Sequence, residues 1–439
     1  MLELAVEWDE RAPWVRAPAL ATTWGKLEIR AGDQLVTRFW HAPSNSVRTG
    51  VHASMFPFAR WVVSNWWNLL HERMPAPEVL NGARRTALLH RTWLERHNLF
   101  LSREGMAYPD LSVYREDEMV GVRWVADPEG VTTAGRFLDG GFVRIDVKQA
   151  EATLAQFVDA VIERLPGTED LDSNQLRADW DAVQNSLQEE PRLCARLGEM
   201  GLDPYDADAD ESLEGELEAL VLSEPVIADL LAFTTPQRFK QDVSDVQLFL
   251  DQLRSGLPRG NGKRPQRRFT APFAALSYFP YRAGYARAEA VRRSLHLAPF
   301  VAAEREPTLV AELTVGTFDL SEIPAKENRR LDAVVSYNGV PALSAEQRSS
   351  RATRFLLARA LHHWIFVEAD APGPRLLTRA SDWQQAASRA FAAELLAPAA
   401  ALAERMEGRA DWDAVEKLAD LFEVQPFVIH HQLSNHGLA

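Results

Sequence analysis

The chain has 439 residues, 46% of them hydrophobic and 25% charged, with 62 acidic against 48 basic side chains. That length and apolar content allow two to three domains with cores of their own, and they exclude a disordered, collagenous or small disulfide-built chain. The net charge of −14 repels phosphate backbones at long range, so nucleic-acid binding is disfavoured except through a local basic patch.

Residues 1–166 read as a tryptophan-rich α+β domain, because nine of the 13 tryptophans precede residue 125 and helical and strand periods alternate there. The first residues carry acids where a secretory signal carries bases, and no apolar run reaches the roughly 18 residues that span a bilayer. A cytoplasmic protein without a membrane partner is expected. Leu27 and Ile29, then Leu35 and Val36, flank Ala31-Gly32-Asp33 and predict a strand, a tight turn and a second strand. Over 60–72, Trp61, Asn65 and Leu69, and Val62, Trp66 and Leu70, recur at helical spacing. This aromatic run reads as core or, through Trp61, Trp66 and Trp67, as a protein-binding surface. His41, His52, His71, His90 and His97 have no metal-site spacing, and the apolar runs around Glu104-Gly105 predict a hairpin over 97–111. Strands are expected at 121–126 and 142–147, then a helix over 150–165 that Pro166-Gly167 ends.

Residues 167–253 read as an acidic helical segment. Cys194, the single cysteine, leaves no disulfide framework and no cysteine-rich zinc site, which points to a reducing compartment; its neighbours make it a helix-face residue. Residues 202–218 hold eight acids and no base. Asp206, Asp208 and Asp210 imitate the start of a calcium loop, but Glu211 stands where the loop needs glycine and Leu217 where it needs glutamate, so a solvated acidic loop is expected. Residues 254–270 read as a basic linker with glycines and prolines that oppose regular structure. Gly262-Lys263 is no phosphate loop, because Arg264 replaces the hydroxyl residue that would hold magnesium. Arg259, Lys263, Arg264, Arg267 and Arg268 suit either the acidic segment of the same chain or a nucleic acid; the first needs no added partner.

The remaining 271–439 carry the most specific pattern. Pro280-Tyr281-Arg282-Ala283-Gly284-Tyr285 precedes a helical stretch, 333–339 reads as a strand, and two helices are predicted at 354–366 (RFLLARALHHWIF) and 383–398 (WQQAASRAFAAELLAP). This order resembles the ImmA/IrrE family of metallopeptidases, whose first helix reads R-F-T-x-A-H-E-L-x-H and whose second contains E-x-x-A-N-x-F-A-x-E-L-L-x-P. The resemblance implies a mostly helical, zincin-like fold for about 275–439. In the family motif, histidines four apart on one helix face hold zinc, the glutamate between them activates water, and a carboxylate from the next helix completes the site. At those positions this chain has Arg359, Ala360, His363 and Gln385.

Arginine stays protonated and cannot ligate zinc, and alanine accepts no proton, so the site is expected to be vestigial, without metal, cofactor or peptidase activity. Arg359 has two readings: an edge residue whose stem covers apolar surface, or a guanidinium in the metal's place, bonded to Gln385 or a nearby carboxylate. His363 is expected to be a hydrogen-bonded core histidine. Phe355, Ala358, Leu361, Ile365 and Phe366, and Phe391, Ala392, Leu395 and Leu396, keep the apolar faces of the two helices. Retained packing with lost chemistry suits a regulatory or adaptor protein that binds a protein partner. The resemblance implies bacterial stress response, mobile-element control, toxin-antitoxin or phage-defence settings. Two alternatives are an atypical metallopeptidase with displaced ligands His362, His363 and Glu394, and a nucleic-acid-binding regulator acting through the linker.

Overall fold

Glycine at position 32 lets the chain reverse within two residues, because its φ of +61° lies in the left-handed region. In the computed structural model, strand β1 (Leu2–Trp8) pairs antiparallel with β2 (Trp24–Ala31), and the turn at 32–33 returns the chain as β3 (Gln34–Leu35), with Ala31 opposite Gln34. The structure describes residues 1–10, 12, 14–74, 84–116, 119–128, 135–167, 170–206, 211–256, 280–297, 319–326, 329–336, 342–366, 373–380, 382–406 and 411–438. The protein is a mixed α+β chain with several small, mainly antiparallel sheets, and it divides into two compact units, 1–218 and 219–439. Among the described residues no single helix is long and apolar enough to cross a membrane.

In the first unit α1 (Pro18–Thr22) leads into β2, and β4 (Phe39–His41) pairs with β5 (Ser46–Arg48). Strand β6 (Val51–Ser54) pairs with β2. The helix expected over 60–72 is two helices, α2 (Phe56–Ser64) and α3 (Trp66–His71). Asn65 breaks them apart: its side-chain amide donates to Trp61 O at 2.9 Å and its backbone leaves the helical region. Helix α4 (Arg84–His97) follows.

The hairpin expected over 97–111 does not form. Asn98 Oδ1 accepts from Phe100 N, and residues 99–102 wind as a 3₁₀ turn instead of a strand. Asn98 Nδ2 then bonds Asp110 and Ser112, fastening that turn to β7 (Asp110–Glu116). Strand β7 pairs with β8 (Met119–Val125), β9 (Gly135–Phe137) joins β4, and β10 (Gly141–Asp146) joins β8. Asp146 caps α5 (Val147–Arg164) by accepting from Lys148 N and Gln149 N.

Helices α6 (Leu171–Glu189), α7 (Pro191–Glu199) and α8 (Glu211–Glu218) also belong to this unit. The stretch expected as one acidic helical segment is thus shared between the two units. Asn68 ties α3 to α7 by donating to Gly198 O at 3.1 Å and Leu202 O at 3.2 Å. Of the residues weighed as a calcium loop, Asp208 and Asp210 lie outside the described residues, Glu211 opens α8, and Leu217 is fully buried.

The second unit opens with α9 (Glu224–Leu231) and α10 (Phe239–Gly256), followed by α11 (Pro280–Ser294), which takes in the 280–285 motif itself. Its sheet has the order β11 (Asp319–Ile323), β13 (Ala342–Glu346), β12 (Leu331–Ser336), β14 (Arg375–Thr378). Strands β11 and β13 run parallel and the other pairs antiparallel. All of β12 is buried: Ala333 and Val335 join the core cluster of the motif helices, while α10 also packs on the sheet. The motif helices are α12 (Ser350–Phe366) and α13 (Trp383–Leu396); α14 (Ala399–Arg405), α15 (Trp412–Phe422) and α16 (Pro426–Asn435) complete the unit.

At Gly284 helix α11 lies directly against α13. A Cβ there would lie 2.4 Å from Ala387 O, 2.7 Å from Ala390 Cβ and 2.8 Å from Phe391 N. Gly284→Ala gains helix propensity worth about 1 kcal/mol yet forces two backbones apart at a cost of about 1–3 kcal/mol. The variant should unfold its second unit at lower urea; a midpoint equal to or above that of the parent would show that the two helices separate freely.

Candidate functional site

The two motif helices are placed by their own first turns. Ser349 Oγ accepts from Ala352 N at 3.4 Å to start α12, and Asp382 Oδ1 accepts from Gln385 N at 2.9 Å to start α13. The second half of α12, 356–366, is wholly buried, as is most of α13, and the helices pack on each other. This brings Arg359 and Gln385 together.

Arg359 is 2% exposed, so the reading as an edge residue does not hold. Its Nη2 donates to Gln385 Oε1 at 2.6 Å and to Thr378 O at 2.9 Å, its Nη1 to Asp332 Oδ2 at 3.0 Å, and its Nε to Ser388 Oγ at 3.3 Å. Burial pulls the guanidinium down to about 10, against the opposing pull of Asp332, and it remains charged at neutral pH.

Asp332 reaches this place through a bulge. Leu331 pairs with Thr378 and Ala333 with Leu377, so Asp332 is the extra residue of β12, and its side chain meets Arg359 on α12. Its other oxygen accepts from Arg348 Nη2 at 2.6 Å and Arg379 Nε at 3.1 Å. Burial pushes the carboxyl up, but Arg359, Arg348 and Arg379 together hold it below the usual range. The network continues through Arg348 to Glu346, and from Glu346 through Arg329 to Asp245 on α10.

Gln385 completes an edge. Its Oε1 also accepts from Thr378 N at 3.0 Å and its Nε2 donates to Leu376 O at 2.7 Å. With Asp229 Oδ2 accepting from Leu376 N and Arg359 donating to Thr378 O, the outer row of β14 backbone groups at 376–378 is taken up by side chains.

The two remaining motif positions, 360 and 363, supply no base at neutral pH. Ala360 is fully buried in the core. His363 is buried, as expected, but it is not hydrogen-bonded: among the described residues neither ring nitrogen finds a partner. Burial, then Arg359, Arg375 and Arg287, push it down to about 3, so the ring is neutral. His362 is held well below its usual range by burial and by Arg287, whose Nη1 donates to His362 Nε2 at 2.8 Å. Glu394, weighed as a displaced ligand, turns instead to Ala399 N and Gln432 Nε2. Among the described residues no three His, Cys, Asp or Glu side chains come together as a metal-binding group.

Trp61, Trp66 and Trp67 are each at most 3% exposed, which places them in the first unit's core and not on a binding face. Trp66 packs edge-on against Trp180 with centroids 5.1 Å apart, and Trp67 Nε1 donates to Tyr205 OH at 2.8 Å. Helices α2 and α3 are buried except for one narrow face of α2, where Arg60 and Ser64 are exposed, and the three tryptophans lie off that face. Arg259, Lys263, Arg264, Arg267 and Arg268 lie outside the described residues, as do 337–339 of the expected strand.

Reading by motif missed Asp332, Thr378 and Ser388. Only Asp332 had a signal, a lone acid in the apolar run LDAVVS. No family model and no curated protein matches this sequence.

Proposed function

We propose that the second unit is a degenerate ImmA/IrrE-like metallopeptidase domain in which the Arg359 guanidinium stands where the metal would be, and that the chain is a non-catalytic regulatory or adaptor protein for a protein partner. The setting it fits is a bacterial stress-response, mobile-element, toxin-antitoxin or phage-defence system. One observation carries the reading: the residue in the first ligand position is a buried cation with its donors committed to Asp332, Gln385, Thr378 and Ser388. A positive charge fixed there repels a metal ion, and the neighbours that would have oriented ligands now orient the guanidinium. Ala360 leaves no base to activate water, and the closed edge of β14 leaves no backbone row for an extended peptide to join.

Metal analysis of the purified protein tests this. The parent should hold no stoichiometric zinc after dialysis against a mild chelator. The triple substitution Arg359→His, Ala360→Glu and Gln385→Glu should acquire zinc that His363→Ala then removes. Stoichiometric zinc in the parent, lost on changing His362, His363 or Glu394, would instead establish the metallopeptidase with displaced ligands.

A further inference from the structure

Helix α9 packs against β14 and α10. Its Val226, Ile227, Leu230 and Leu231 are buried, yet none of them belongs to the core cluster of the motif helices. With eight residues it is shorter than the roughly 12–15 that a helix needs to persist alone in water, so the surface beneath it keeps it folded. Just before it Val221 and Ser223 are exposed, and the Ser223 side chain makes no capping bond. Asp229 ties the helix to the strand. Its Oδ2 accepts from Leu376 N at 3.0 Å, and its Oδ1 lies 3.6 Å from Arg375 Nη1, which is long for a charge-assisted bond. Arg375 Nε is buried and finds no partner among the described residues. The carboxylate that α9 supplies is thus too short for the arginine it faces.

We propose, on the reading of the chain as a non-catalytic adaptor, that α9 is a removable cover on a docking cleft of β14 and α10, and that the protein partner inserts an amphipathic helix in its place. The contacts of α9 state what that helix carries: apolar residues in adjacent pairs one turn apart, as at 226–227 and 230–231, and a carboxylate at the position of 229. A glutamate there, one methylene longer, spans the gap to Arg375 that the aspartate leaves. Gln385 and Arg359 close the other edge groups of 376–378, so a helix fits this cleft and an extended strand does not. The tethered α9 competes at an effective concentration on the order of millimolar, which keeps the cleft covered until a better-matched helix arrives.

Fluorescence anisotropy of a labelled peptide of sequence 219–235, added to the full chain, tests the exchange. A variant with Ile227→Asp and Leu230→Asp cannot seat its own α9 and should bind the peptide at least about tenfold more tightly than the parent does. The peptide with Asp229→Glu should bind more tightly than the native peptide, and the peptide with Asp229→Ala about tenfold more weakly. Equal binding by parent and double variant, or equal affinity for the three peptides, would overturn the proposal. If the double variant also loses protection of 356–366, amide hydrogen exchange of the parent decides. Residues 224–231 should then open at least about tenfold more often than 356–366, and equal protection overturns the cover, because α9 would leave only when the whole unit unfolds. A parent dimer that grows with concentration and is lost in the double variant would make the occupant the α9 of a second copy and overturn the partner helix. The zinc analysis fails separately: peptide exchange in a protein with stoichiometric zinc would keep the cleft and remove the adaptor reading, and no exchange in a zinc-free protein would do the reverse.

Discussion

Replacing Arg359 by alanine should destabilise the second unit by about 3–5 kcal/mol, the loss typical of breaking a buried ion pair from one side. The substitution leaves Asp332 facing Arg348 and Arg379 alone, and removes donors from Gln385 Oε1, Thr378 O and Ser388 Oγ in a region closed to water. Lysine should restore little, since one ammonium cannot reach acceptors spread across β12, β14 and α13 as a planar guanidinium does. The pair Asp332→Asn with Arg359→Met should cost less than the two single changes added together, because each single change strands the other partner. The readout is hydrogen-exchange protection of 331–336 and 354–366, which isolates this unit from the other. A loss under about 1 kcal/mol for Arg359→Ala would mean that water or a rearranged neighbour replaces the guanidinium at little cost.

The same pair predicts an acid response. Asp332 is held below its ordinary value, so its ionised form contributes stability that is present above that value and lost as pH falls through the lower, folded one. In Arg359→Ala one of the three cations is gone, and the acid transition of the second unit should move to higher pH.

Glu72→Ala should cost the first unit a similar amount, about 3–5 kcal/mol. Glu72 is 8% exposed and receives both Nε and Nη2 of Arg96, at 2.8 and 2.5 Å, together with His97 Nε2 at 3.0 Å. His97 is fully buried and its Nδ1 lies 2.6 Å from Val113 O. Both ring nitrogens therefore lie beside oxygen atoms, one on Glu72 and one on the β7 backbone. Removing Glu72 strands that ring and the Arg96 fork together. Burial pushes the Glu72 carboxyl up, but His97 and Arg96 outweigh it and hold it below the usual range, so this contribution too is lost as pH falls below the ordinary carboxylate value. Glu72→Gln keeps one acceptor and should fall between parent and alanine variant. Thermal unfolding with exchange readout over 110–116 measures the series, and equal stability of all three proteins would sink the argument.

Two different kinds of information meet at Arg359. The resemblance to the metallopeptidase motif was enough to expect Arg359 and Gln385 near each other, because in that motif the two positions serve one metal ion; period alone gave each helix its apolar face and not their contact. Asp332, Thr378 and Ser388 were not legible, since a hydrogen-bond partner 27 residues away depends on strand order and on a one-residue bulge that no local propensity encodes. The tryptophans show the reverse case. Their spacing gave a helix but not its surroundings, and whether Trp61, Trp66 and Trp67 faced solvent was decided by α5, α6 and α7 packing around α2 and α3. A similar limit hid Glu72, which lies 25 residues from His97 and carries no spacing signal.

The uneven composition marked the front of the chain as different from its back, and local rules then drew the hairpin at 31–35, the helix expected over 150–165 and found at 147–164, and the two motif helices. Those features depend on neighbours within a few residues: a glycine with positive φ, a capping aspartate, an apolar stripe. Which acid neutralises Arg359, which amide closes the edge of β14 and how Glu394 comes to face Gln432 depend on groups distant in sequence. Burying a charge requires a partner delivered from another element, and only the tertiary structure supplies it.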